Sequence, residues 1–217
     1  MADKPVLYGR ATSANVQKVM WIFHELDTDY ERVDAGGPFG QLDTPAYIAM
    51  NPNQLVPTLV DGDLKLWESH AIIRYVAATY GGGRLWVADP ARRAMVDQWT
   101  DWAGSTYQPG WLGVFMQAYL MKEDYRSADA IAAALTKAER LFGIMDRTLQ
   151  KTPWLAGEDF SYADIVCGVA MHRWTTIDID RKAHDGVQAW LGRLRERPAF
   201  NEIVCTSFAM MENTLGG

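Results

Sequence analysis

The sequence predicts a two-part molecule, an α/β domain followed by an all-α domain. Two observations carry this. Strand-like and helix-like patterns alternate up to about residue 85, and beyond about residue 88 the strand patterns vanish. A length of 217 residues suits one large domain or two small ones, and 48% hydrophobic residues give each a core without staples.

Pro5 to Tyr8 is a short apolar run ended by Gly9, and reads as a buried strand. After Ser13, the stretch Ala14 to Leu26 carries Val16, Val19, Met20 and Phe23 at helical spacing, one apolar face toward a core. Tyr30 to Asp34 reads as a second strand. Strand, helix and strand make a βαβ unit, which requires a parallel pair and a right-handed connection. Residues 35 to 53 form a long Gly- and Pro-rich loop, with a helical turn near Ala46 to Met50. Pro57 to Val60 and Leu64 to Trp67 flank Asp61-Gly62-Asp63, a hairpin signal because Gly supplies the positive φ of a tight turn. From Ser69 onward, Ile72, Ile73, Val76, Ala77 and Tyr80 recur at helical spacing until Gly81-Gly82-Gly83 stops them. The expected first domain spans 1–83.

The second domain is expected over 89–217, after a linker from Gly83 to Asp89, with five or six helices. Asp89-Pro90 is a helix start, an Asp cap with Pro in the first turn, and the helix it opens carries Met95, Trp99 and Trp102 on one face. Ser127 opens another, in which Ile131, Leu135, Ala138, Phe142, Met145 and Leu149 form one seam. Ser161-Tyr162-Ala163-Asp164 is a capping box with Asp in place of Glu or Gln. It leads into the nearly all-apolar stretch Ile165 to Met171, a helix buried at the domain centre. Val187, Trp190, Leu191 and Leu194 mark a last helix, stopped before Pro198.

Charge and composition exclude several classes of function. With 21 basic against 27 acidic residues the chain carries −6, which argues against nucleic acid as a partner. No apolar run reaches the ~18 residues of a membrane helix, and the N-terminus lacks an apolar signal core. A cytoplasmic protein is the expectation, with which two distant cysteines, Cys167 and Cys205, agree. Neither a Cys-x-x-Cys motif nor a His-x-x-x-His pair is present, so no metal site is expected.

Three short segments carry chemistry. Ser13 stands where a strand ends and a helix begins; it is either an N-cap or a hydroxyl that donates to an anion such as a thiolate, aided by the unpaired amides of the helix start. Asn51-Pro52-Asn53-Gln54-Leu55-Val56-Pro57 leads into the hairpin. It is either an ordinary turn or, with a cis Val56-Pro57 bond, a place where the Val56 backbone pairs with an extended peptide. Trp67-Glu68-Ser69 is either a cap beside a solvated acid or a pair of groups matched to an α-amino acid, Glu68 for the ammonium and Ser69 with its helix start for the carboxylate.

In this order and spacing the segments resemble one family. Leu7-Tyr8-Gly9 with Ser13-Ala14-Asn15-Val16, Asn51-Pro52 with Val56-Pro57, Trp67-Glu68-Ser69 with Ile72-Ile73-Arg74-Tyr75, and Phe160-Ser161-Tyr162-Ala163-Asp164-Ile165 are similar to motifs of the cytosolic glutathione S-transferases, on a bacterial branch with serine at the first helix. The resemblance covers essentially the whole chain. It implies a thioredoxin-like N-terminal domain, an all-helical C-terminal domain, a homodimer, and glutathione as co-substrate with no other cofactor, its sulfur added to small hydrophobic electrophiles. By position, Ser13 is the catalytic hydroxyl. Asn15, Leu55, Val56, Pro57, Glu68 and Ser69 border glutathione, and Tyr107, Trp111, Phe115 and Met116 line the electrophile pocket. Many relatives carry Gly at the position of Gln54 and a polar residue at that of Leu55, so the glycyl carboxylate must rely on other groups. Asp101 and Arg74, on or beside the helix expected at the dimer two-fold, are candidates for contacts with a partner. A glutathione-dependent disulfide reductase or dehalogenase, or a non-catalytic binding or assembly module, is the alternative on the same fold.

Overall fold

The structure is a computed structural model and describes residues 4–216. Four short strands, β1 (Val6–Tyr8), β2 (Glu31–Val33), β3 (Thr58–Asp61) and β4 (Leu64–Trp67), form one sheet in the order β2-β1-β3-β4. β1 and β2 are parallel, with Leu7 opposite Arg32, and α1 (Ala14–Glu25) is their crossover. β3 runs antiparallel to β1, Leu59 opposite Leu7, and pairs with β4 through the Gly62 turn at φ 57°. α2 (Pro45–Met50) supplies the helical turn in the long loop, and α3 (Ser69–Tyr80) closes the domain. Leu7, Leu59, Val16, Val19, Ile72, Ile73 and Val76 are fully buried between the sheet and α1 and α3.

The α1 pattern predicts one apolar face, but the helix is buried on two. Gln17 and Lys18 are as hidden as Val16 and Val19, because the helical domain covers the side of α1 that the sheet leaves open. Trp21 packs against Phe160 and Phe200 of that domain. α1 is thereby the central element of the whole molecule.

The helical domain comprises α4 (Pro90–Trp102), α5 (Gln108–Phe115), α6 (Ala128–Leu149), α7 (Tyr162–Gly168), α8 (Met171–Thr176) and α9 (Asp185–Arg195). π-helical turns over Ala103–Tyr107 and Met116–Leu120 make α4 and α5 one continuous rod. The apolar run from Ile165 breaks at Val169-Ala170, giving two short helices instead of one. Asp164 is fully buried, and its carboxylate accepts from the Leu155 amide, the Ser161 amide and hydroxyl, and Trp190 Nε1, all within 3.1 Å. Burial pushes its carboxyl up to about 6, against the pull of these donors.

The face of α4 that carries Met95, Trp99 and Trp102 lies at the border of the core, with Trp99 and Trp102 half-buried against it. Val96 and Thr100 are the buried residues of this helix, while Met95 is 51% exposed and Trp99 and Trp102 stack edge to face. Arg74 is ion-paired within the chain, to Asp97 at 2.6 Å and Asp101 at 2.5 Å.

Candidate active site

Several helix starts among the described residues are closed by a side chain. α2 and α6 are closed by their own cap, Thr44 accepting from the Tyr47 amide and Ser127 from the Ala130 amide. Asp89 does the same for α4, and Asp146 Oδ1 reaches across to the first amides of α9. α1 and α3 have no side-chain cap and no acidic residue in the first turn. α1 leaves amide donors and the positive end of its dipole uncompensated, which suits an anion, whereas at α3 the Glu68 carboxylate stands at the N-cap position without a capping bond.

Ser13 holds the N-cap position of α1 in extended backbone, φ −78° and ψ 124°, yet its hydroxyl makes no capping bond. The simple capping reading of this serine is thereby removed. The loop before it is fixed from the helical domain, where Arg173 donates to the Thr12 carbonyl at 2.7 Å. Gln17 ties the same helix to the C-terminal segment through the Ile203 carbonyl and Thr206.

The Val56-Pro57 bond is cis. The Leu55 carbonyl is clamped by Tyr47 Oη at 2.7 Å and Asn51 Nδ2 at 2.8 Å, which leaves the Leu55 side chain 64% exposed. Val56 lies against Gly9, where a Cβ would come within 3.3 Å of it and within 2.4 Å of Val16. Gly9 thus lets the turn after β1 and the Val56 segment meet, and Ser13 follows four residues later.

Glu68, exposed, precedes α3 with φ 70°, an unfavourable conformation for a residue with a side chain. Ser69 behind it is buried. A cleft of about 250 Å³ between the domains brings Asn15, Glu68 and Ser69 together with Lys18, His70, Gly104, Gln108, Pro109 and Leu112. Lys18 Nζ is buried and donates to Asn15 Oδ1 at 3.0 Å, to His70 Nε2 at 3.0 Å and to Gln108 Oε1 at 2.9 Å. Burial pushes the ammonium down to about 7, with Cys167 and Glu68 pulling it back up and Arg173 opposing them. Burial, then Lys18 and Arg74, hold His70 down to about 3, so its ring is neutral at ordinary pH. Gly104 permits this arrangement: a Cβ there would meet the His70 ring at 3.2 Å.

One expected group is placed elsewhere. Tyr107, Trp111 and Phe115 are core residues, none more than 3% exposed, and only Met116 reaches the surface. Tyr107 stacks on Trp102 and meets Phe142 edge-on, and Phe115 stacks on Tyr119. The physical reason is helical phase. Tyr107 faces Phe142 of α6 and Met171 of α8, Phe115 faces Phe208, and the turns of the rod that face the cleft carry Gly104, Gln108 and Leu112. Among the described residues no cluster of His, Cys, Asp or Glu suits a metal ion, and no helix is long and apolar enough to cross a membrane.

A four-stranded α/β domain roofed by an all-helical domain, with a cleft between them at the start of α3, has the architecture of a thioredoxin-like domain joined to a helical one. The family models for "Glutathione S-transferase, N-terminal domain" and "Glutathione S-transferase, C-terminal domain" match residues 7–84 and 107–198. The chain is 38% identical over 200 residues to the glutathione S-transferase GstB of Escherichia coli, covering 91% of this chain and 96% of the relative. It is 30% identical to the disulfide-bond oxidoreductase YfcG of Escherichia coli, covering 95% and 94%. The glutathione-bound theta class glutathione S-transferase of Xanthomonas axonopodis pv. citri superposes with a TM-score of 0.89 at 41% identity, covering 95% of this chain and 99% of that one. The chain belongs to the glutathione S-transferase family.

Proposed function

We propose that this chain is a serine-type glutathione transferase that ionises the glutathione thiol at Ser13 and adds the sulfur to small apolar electrophiles. The observation that carries the reading is the pair of uncapped helix starts, α1 at Ser13 and α3 at Glu68-Ser69, with Asn15, Glu68 and Ser69 lining one cleft.

The γ-glutamyl group belongs at α3, its carboxylate on Ser69 and the first amides of the helix and its ammonium opposite Glu68. The cysteinyl backbone pairs with Val56 as an added strand. The sulfur then lies before α1, within reach of the Ser13 hydroxyl and beside Asn15. A free thiol with a pKa of ~8.5 is only a few per cent ionised at neutral pH. Donation from a hydroxyl that makes no capping bond, next to an uncompensated helix dipole, favours the thiolate, and each unit of pKa is worth ~1.4 kcal/mol. No protein base is needed, because the dipoles are in place before the thiol arrives. Leu55 offers the glycyl carboxylate no polar side chain. Pro109 and Leu112 give the electrophile an apolar approach to the cleft. The face of α4 that carries exposed Met95 and half-buried Trp99 and Trp102 is the surface on which two copies pair.

Conjugation of a chloronitrobenzene with glutathione tests the reading. Activity that is lost in Ser13→Ala supports it. Reduction of disulfide substrates without conjugation would assign the chain to the reductase alternative, and failure to bind glutathione at millimolar concentration would leave only a non-catalytic role.

A further inference from the structure

Lys18 is the buried charged group that this account leaves without a task. A fully buried lysine is uncommon and costs free energy unless each hydrogen is received. Here all three are, by Asn15 Oδ1, His70 Nε2 and Gln108 Oε1, at 2.9 to 3.0 Å. As an ammonium, the form it holds below about pH 7, Lys18 donates and never accepts. Its bond to Asn15 therefore fixes which end of that amide faces inward. The oxygen points at Lys18, and the Nδ2 hydrogens are turned away from it. Asn15 lies three residues before Lys18, on the same face of α1, and lines the cleft. Its Nδ2 donates to no group among the described residues.

The other two partners hold the lysine still. His70 is neutral, receives from Lys18 at Nε2 and makes a backbone hydrogen bond to Thr100. Gln108 comes from α5, so the lysine's position depends on the docking of the two domains. Glu68, Cys167 and Arg173 are the remaining titratable or charged groups that act on it.

We propose that Lys18 is a positioning residue: it locks the Asn15 amide with its hydrogens toward the glutathione sulfur, so that Ser13 and Asn15 act as a two-donor cradle for the thiolate. This rests on the reading of the cleft as the glutathione site. The lock forms no covalent bond and moves no proton; it sets the direction of one donor. Lys18 itself touches only the protein.

The test is the pH titration of the bound glutathione thiol, read by the ultraviolet absorbance of its thiolate. In Lys18→Met the midpoint is expected to rise by about one unit, with kcat below the midpoint falling about tenfold and KM for glutathione changing less than about threefold. In Asn15→Ala the same rise is expected, and adding Lys18→Met to it should raise the midpoint no further. Asn15→Asp keeps an acceptor for Lys18 and removes the donor, so it remains informative if Lys18→Met does not fold; its midpoint should rise at least as far. A folded Lys18→Met, or Asn15→Asp, whose thiol titrates as in the wild type overturns the proposal. Ser13→Ala separates the two levels. If it shifts the midpoint while the Lys18 and Asn15 variants do not, the lock alone fails. If it too leaves the midpoint unmoved, the underlying site reading fails.

Discussion

Ser13 and Lys18 show how far single residues can be read from sequence. Ser13 stood out because a strand–serine–helix junction has two meanings, cap or anion donor, and only the direction of its hydroxyl separates them. Glu68 and Ser69 stood out for the same reason, and the positive φ of Glu68 is the added structural sign. Lys18 was not legible. In a one-faced helix pattern a lysine beside Val19 reads as solvent-facing, and nothing local announces that a second domain covers it. Burial gives Lys18 a further signature. Its pKa of about 7 in the fold lies below the 10.5 of the unfolded chain. Below about 7 both states hold the proton and the folded state bears the full cost of burying the charge. Above that, the unfolded chain holds more protons than the native one, so the Lys18 contribution to stability climbs as pH rises toward 10.5. Urea unfolding at pH 7 and pH 9 should show the wild type gaining stability relative to Lys18→Met at the higher pH. A difference that is flat or falls would contradict this.

At the scale of elements, strands and helix starts followed from local chemistry: Asp61-Gly62-Asp63 for the hairpin, Asp89-Pro90 for α4, Ser127 for α6 and Ser161 with Asp164 for α7. The phase of α5 did not. Tyr107, Trp111 and Phe115 recur every four residues, a period that marks a buried seam and a pocket wall alike, and the answer lay in neighbours distant in sequence. Signs of the cleft-facing turns were present in Gly104 and Gln108, small and polar where the seam is aromatic. Two glycines on the opposite side test this packing. In Gly110→Ala the new Cβ would lie 2.1 Å from Leu141 Cδ1, which is buried, so a loss of about 1–3 kcal/mol is expected. In Gly113→Ala the nearest contact is Ala134 Cβ at 3.4 Å, and the better helix propensity should stabilise by up to about 1 kcal/mol. The Asp164 hub should be far more sensitive. Asp164→Ala strands the donors of Leu155, Ser161 and Trp190, and a loss of at least about 3 kcal/mol is expected in chemical denaturation.

At the scale of the whole molecule, the two-domain division was legible because strand patterns stop near residue 88, whereas the way the domains meet was not. Many of the contacts that join them are polar and come from residues whose partners lie far away in the chain, among them Gln17, Lys18, Arg173 and Gln108. The aromatic face of α4 predicts association of two copies, expected at twice 24.4 kDa in analytical ultracentrifugation. Trp99→Asp places a charge on that face and should yield monomers; an unchanged dimer would assign the contact to another surface. Arg173 and Lys18 make hydrogen bonds across the domains that hold the first turns of α1, where the proposed function places the thiol. The central claim is that Ser13 ionises glutathione there, and the most direct measurement is the titration midpoint of the bound glutathione thiol in the wild type and in Ser13→Ala. The wild-type midpoint is expected well below the ~8.5 of a free thiol, with a rise of one unit or more in the variant. The same midpoint in both proteins would contradict it.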